Sequence, residues 1–137
     1  MSIEANKKIA MRMSDEVVNQ GKMETVDKLI SKDYRYYGPG GMELEGTEGF
    51  KQMIGGFRNA FPDLHSEIKN LTAEGDYVLM HYTFVGTHKA DFMGIPATGK
   101  KIDIWGFILR SIKDGQIVED RDMYDTPTFM KQLGVSQ

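Results

Sequence analysis

Seven residues near the end of the chain, Glu119, Asp120, Arg121, Asp122, Met123, Tyr124 and Asp125, follow directly on the apolar pair Ile117 and Val118. A carboxylate set against apolar surface loses hydration and its pKa rises. It can then exchange a proton with a carbon acid or an enol oxygen near neutral pH. Two neighbouring carboxylates strengthen the effect, since each raises the other's proton affinity. Strand alternation puts Asp120, Asp122 and Tyr124 on one face and Glu119, Arg121 and Met123 on the other. The apolar Met123 favours the second set facing inward, where Arg121 could anchor a substrate carboxylate. A bulge near the site can re-aim one residue, which would allow Asp122 inward with Asp120 beside it. By themselves these residues fit either a solvated, ion-paired strand or the polar wall of a pocket.

Other side chains could serve such a wall. Asp103, Trp105, Phe107 and Leu109 alternate with Ile102, Ile104, Gly106 and Ile108. The Trp105–Phe107 face could stack a planar ligand, or form a core or a dimer interface. The histidines are His65, His81 and His88. Their spacing suggests no metal triad, and no metal site is expected. His81, in mid-strand, is a candidate pocket group or a structural histidine. His88 falls at a strand end and could orient the loop after it. Tyr34, Tyr36 and Tyr37 offer phenols near a pocket entrance. The Gly38–Gly41 loop lacks the lysine and helix of a phosphate-binding loop.

Composition narrows the function classes. The chain has 137 residues, 40% hydrophobic and 27% charged, the profile of one soluble globular domain. Its net charge of -3 comes with both signs mixed and no basic stripe, so neither nucleic acid nor an acidic membrane surface is an expected partner. No apolar run approaches a membrane span, and the first residues lack the apolar core of a secretory signal. There is no cysteine, which removes disulfides, thiolate chemistry and cysteine-ligated zinc and points to a cytoplasmic location. Ten methionines suit an irregular apolar cavity or an ordinary core.

The elements that must position these residues can be read from periodicity. Ile3, Ala10, Met13, Val17 and Val18 form the stripe of a helix over about Ser2 to Gln20, ended by Gly21. Met23, Val26, Leu29 and Ile30 mark a second helix, and Tyr34–Tyr37 a brief strand. Thr47 can cap a third helix with an apolar face of Phe50, Met53, Ile54, Phe57, Ala60 and Phe61, stopped by Pro62. Four longer strands follow: Leu64–Leu71, Tyr77–Thr87, Lys101–Ile112 and Gln116–Tyr124. A turn at Glu74-Gly75-Asp76 joins the first two, and Asp114-Gly115 is a hairpin turn joining the last two. His88–Gly99 is a long excursion whose Phe92, Met93 and Ile95 could wall a pocket mouth. Thr126 as cap and Pro127 at the first helical position open a last helix. Helices first and strands afterwards predict an α+β domain, a curved antiparallel sheet wrapped around helices.

The order GFKQMIGGFRNAFPDLHSEI, then GDYVLMHYTFVGTHKADFMGIPATGKKIDIWGFILRSIKDGQIVEDRDMYDTPTFMKQLG, resembles the SnoaL-like family of polyketide cyclases and ester cyclases. That family lies within the nuclear-transport-factor-2-like fold, and the likeness runs from about Val26 to Gly134. It implies a cone-shaped α+β barrel enclosing a hydrophobic pocket, commonly in a dimer. It also implies cofactor-independent chemistry, such as ring closure by aldol condensation, on a small hydrophobic carbonyl compound. Family members place an aspartate three positions before the one that precedes the last helix. Here those are Asp122 and Asp125, so the resemblance assigns Asp122 the acid/base role. Trp105, Phe107, His81, His88, Tyr34 and Asp120 are the ligand-binding candidates beside it. The chain departs from the cyclases on the strand next to Asp122. They carry hydrogen-bonding side chains there, histidine among them, where this chain reads Trp105-Gly106-Phe107. A noncatalytic small-molecule binding protein of the same fold is the alternative. A hydrolase using the same carboxylate and a structural dimer with a vestigial cavity are further readings.

Overall fold

The computed structural model describes residues 2–135. Ser2 opens the first helix by accepting a hydrogen bond from the Ala5 N–H at 3.0 Å. Helix α1 (Ile3–Arg12) then widens into a π-helical stretch, Met13–Asn19, a form that recurs at functional sites. Gly21 ends the helix at a φ of +72°, a conformation that costs glycine little. The Arg58 guanidinium donates to the carbonyls of Val18 and Asn19 at 2.7 and 3.1 Å, satisfying the open end.

Helix α2 (Met23–Leu29) runs directly into β1 (Ile30–Tyr37), which is longer than the brief strand expected. Strand β2 (Glu43–Glu45) has only three residues and no sequence pattern of its own. It exists because the end of β1 offers it a partner. Helix α3 (Gly46–Ala60) is capped at Glu45, without a side-chain bond, and not by Thr47. In the last helix, α4 (Thr126–Gln132), Asp125 is the cap in place of Thr126. Its carboxylate accepts from the Thr128 N–H at 3.1 Å and the Thr128 hydroxyl at 2.6 Å.

The remaining strands are β3 (His65–Glu74), β4 (Tyr77–Thr87), β5 (Lys101–Lys113) and β6 (Gln116–Tyr124). With β1 and β2 they form a six-stranded sheet in the order β2-β1-β6-β5-β4-β3. Every neighbouring pair is antiparallel except β1 with β6, which is parallel. The β5–β6 hairpin turns through Asp114 and Gly115, both at positive φ, as a tight two-residue turn requires.

Irregularities bend this sheet. Lys69 is an extra residue in β3, and Val118 is one in β6. The pairing of β1 also shifts between Ile30 and Arg35. Each added residue re-aims the side chains beyond it and increases the local twist. Helices α1 and α3 and the π-helical stretch lie against the concave face, touching β1, β3 and β4 between them. The α+β architecture is the one expected, a curved sheet around N-terminal helices. Two apolar clusters fill most of the concavity, one around Met13, Tyr34, Phe50 and Ile117, the other around Phe61, Phe84, Phe92 and Phe129.

Candidate active site

Between those clusters lies a cavity of about 110 Å³. Ser14 and Val18 of the π-helical stretch, Met53 and Phe57 of α3, and Ile68 and Met80 of the sheet are among its walls. Its polar side is built by β1, β4, β5 and β6, which contribute Tyr36, Tyr82, Arg110, Asp122 and Tyr124.

The bulge in β6 decides which carboxylates reach it. Ile112 pairs with Ile117, but Ser111 pairs with Glu119, so Val118 is skipped. Ile117 is fully buried on the inner face. Unbroken alternation from Ile117 would have turned Glu119, Arg121 and Met123 inward. Past Val118 the parity is reversed, and Asp120, Asp122 and Tyr124 line the cavity side instead. Met123 is left exposed. Arg121 also lies outside, where it pairs with Glu119 at 3.2 Å and covers the Tyr37 ring, so it cannot anchor a ligand in this cavity.

Both oxygens of Asp122 accept short hydrogen bonds from phenols. The Tyr36 hydroxyl donates to one at 2.6 Å and the Tyr82 hydroxyl to the other at 2.7 Å. A carboxylate has about four lone-pair sites, so acceptor capacity remains toward the cavity. Burial pushes the Asp122 carboxyl up to about 6, against the two tyrosine bonds, which favour the charged form. The charge of Asp120 adds to the rise and that of Arg110 opposes it. Burial and the nearby carboxylate hold Tyr36 and Tyr82 far above the ordinary phenol range, so both stay protonated donors. Tyr124 is pushed up to about 12, by burial first and by Asp122 second.

Beneath Asp122 sits a second polar unit. Asp120 is fully buried and accepts from the Tyr34 hydroxyl at 2.6 Å and from Arg110 Nε at 3.0 Å. Burial disfavours the charge on Arg110, but Asp120, Tyr34 and Asp122 together outweigh it, and the guanidinium pKa is raised. A buried pair of this kind carries its own hydrogen bonds and would be costly to break by removing one partner.

A model of SnoaL-like polyketide cyclases matches residues 8–133. Two curated relatives are each 30% identical over 129 residues, covering 90% of this chain. They are the aklanonic acid methyl ester cyclases DauD of Streptomyces sp. (strain C5), 79% covered, and DnrD of Streptomyces peucetius, 88% covered. The chain belongs to the SnoaL-like polyketide cyclase family. The solved structure of a SnoaL-like protein from Jannaschia sp. CCS1 superposes with a TM-score of 0.91 over 100% of this chain and 97% of its own, at 24% identity.

This SnoaL-like chain arranges its other candidate residues differently from the sequence reading. Trp105 and Phe107 point away from the cavity, to the outer face of the sheet, because the isoleucines of β5 take the inner positions. His81 shares that outer face. It stacks on Phe107 with ring centres 5.0 Å apart and bonds Asn70 at 3.0 Å. His88 is fully buried, but in the second apolar cluster, stacked on Phe61 and bonded to Thr98 at 2.9 Å, so it orders the following loop and does not line the cavity. Phe92 turns into that same cluster against Phe61 and Phe129 and does not wall the mouth. Asp120 reaches the cavity wall, whereas Tyr34 stands behind it and donates to Asp120 at 2.6 Å.

The sequence reading passed over Tyr82 and Arg110. Arg110 interrupts an inward stripe of Ile102, Ile104, Ile108 and Ile112, and a lone arginine in such a stripe was a legible signal. Gly106 explains the missing helper on β5. A Cβ there would lie 2.6 Å from the Met123 carbonyl and 2.7 Å from the Tyr82 hydroxyl. The absent side chain lets the Tyr82 phenol cross β5 to Asp122, so β4 supplies a hydrogen bond that β5 itself does not.

Among the described residues no group of three or more His, Cys, Asp or Glu is arranged to hold a metal ion, and no helix is long and apolar enough to cross a membrane.

Proposed function

We propose that this protein is a cofactor-independent acid/base catalyst acting on a small hydrophobic carbonyl compound, with Asp122 as the proton-transferring group. The observation that carries this reading is a desolvated carboxylate facing an apolar cavity and held at both oxygens by tyrosines. In an aldol ring closure Asp122 would take a proton from the carbon α to a carbonyl. The resulting enolate carbon bonds to a second carbonyl carbon of the same molecule. The alkoxide formed there then takes the proton back from Asp122. One carboxyl serves both steps, and orientation in the cavity supplies much of the remaining rate. The cavity holds about one ring. A larger substrate would insert its reacting end and leave the rest at the mouth.

The curated relatives are named for aklanonic acid methyl ester, which makes that ester the first compound to assay. Asp122→Asn keeps the shape of the site and removes the base. Turnover should fall by at least about 100-fold with the fold intact. Activity within a few fold of the parent would contradict the reading. Ligand binding without turnover in the parent protein would favour the noncatalytic binding protein instead.

The protein is also proposed to form a homodimer through the outer face of β4–β6. Tyr77, Leu79, Trp105, Phe107 and Met123 are exposed apolar side chains on that face, and their burial against a second copy would be favourable.

A further inference from the structure

Arg110 carries five N–H donors, and only its Nε is used by the protein among the described residues, on Asp120. The side chain is 6% exposed, so bulk water does not serve the other four donors. Neither Nη nitrogen is among the buried atoms sealed off without a partner, which among the described residues are Asn6 Oδ1 and His88 Nε2. Arg110 is one of the residues that line the cavity, and its Nη groups are the donors that the protein leaves unused there. Desolvated guanidinium donors with no acceptor are costly, and a cavity that presents them is built to receive an oxygen.

The register sets where that oxygen would lie. Arg110 pairs with Asp120 and Ile108 with Asp122, so Arg110 and Asp122 are diagonal neighbours on one face. Such neighbours are about 7–8 Å apart along the backbone. Both side chains line the same cavity, so one ligand there could present its α-carbon to the carboxylate and its carbonyl oxygen to the guanidinium.

We infer that Arg110 is a binding residue that holds the carbonyl oxygen of the substrate through its Nη donors. The negative charge of an enolate would develop on that oxygen. Arg110 would thus stabilise the charge that Asp122 creates, and Asp120 and Tyr34 position the guanidinium from behind. The favoured ligands are compounds whose leading ring bears a carbonyl group. The orientation of that carbonyl rests on the acid/base reading of Asp122, whereas the oxygen anchoring needs only the cavity and Arg110.

Acetophenone and ethylbenzene have nearly the same shape and differ in the oxygen. Their binding to the purified protein can be followed by titration calorimetry or by chemical-shift changes. The parent should prefer acetophenone by about tenfold or more, as a hydrogen bond from a charged donor implies. Arg110→Met should bring the two affinities together without weakening ethylbenzene. Should the lone change unfold the protein by stranding Asp120, Arg110→Met with Asp120→Asn removes both charges and should give the same levelling. Asp122→Asn should retain the preference. The inference is overturned if the parent shows no preference, if it binds neither compound, or if the preference survives loss of Arg110. Failure of the acid/base reading shows separately, as undiminished turnover in Asp122→Asn whatever the probes do.

Discussion

On β5 the inward residues Ile102, Ile104 and Ile108 are 1, 2 and 7% exposed, whereas the outward Trp105 and Phe107 are 52 and 46% exposed. The larger apolar side chains are thus on the wetter face. The inner face of β4, β5 and β6 instead collects Tyr82, Arg110, Asp120 and Asp122, polar groups that end up surrounded by isoleucine, methionine and phenylalanine. The contrast shows that apolar size alone does not locate a pocket. Aliphatic stripes mark the side covered by the protein's own helices, and a buried polar cluster within them marks the site. The exposed aromatic stripe marks the face that those helices leave uncovered.

The faces can be told apart by how stability responds to pH. Asp122 has a folded pKa raised from 3.8 to about 6 by burial. The folded protein therefore binds this proton more tightly than the unfolded chain. The stabilisation is complete below about 3.8 and is lost as pH rises through about 6. The loss amounts to at most about 3 kcal/mol, from about 1.4 kcal/mol per unit. Denaturant melts of the parent and of Asp122→Asn should diverge over that window, with the asparagine variant lacking this fall. Identical pH dependence would make Asp122 an ordinary solvated carboxylate and erase the contrast with the outer face.

Gly106 sits where the inner face has no room. Gly106→Ala should destabilise the protein by about 1–3 kcal/mol and displace Tyr82 from Asp122, lowering turnover as well. Thermal melts and assays of the same variant check both effects. A neutral result would mean that the Tyr82–Asp122 bond does not depend on the gap in β5.

The outer face should answer in the opposite way. Trp105→Glu should leave turnover per chain unchanged, and any loss of stability should be limited to what association contributes and depend on protein concentration. In sedimentation it should convert dimer to monomer. A variant that stays dimeric would move the interface elsewhere, and one that loses turnover would bring the two faces into a single site.

Much of the framework was legible in the chain. Strand β6 has the bounds that its alternation and the Asp114-Gly115 turn implied, and Pro62 stops α3 as expected from its effect on the preceding residues. What could not be read was parity across a bulge. Nothing in the composition of Ile117-Val118-Glu119 shows that Val118 is skipped, because the skip depends on how β5 and β6 meet. Met123 then argued for the wrong face. β4 posed a related difficulty, since Val78, Met80 and Phe84 on one side and Tyr77, Leu79 and Val85 on the other are both apolar. Periodicity could not choose between Tyr82 and His81 for the cavity. The helices of the folded chain made that choice by covering one side. Asp122 was singled out by its position before the last helix, a resemblance and not a physical derivation. The tyrosine pair that holds it was visible only in three dimensions.

The most direct test of a desolvated base in this cavity is the titration of Asp122 itself. Protein labelled with carbon-13 at aspartate carboxyls can be followed by NMR from pH 3 to 8, with Asp122→Asn identifying the resonance. A midpoint near the raised value of about 6 is the result expected. A midpoint near the ordinary aspartate value of about 3.9 would contradict it, placing Asp122 in water and leaving the tyrosine-held carboxylate without its chemical role.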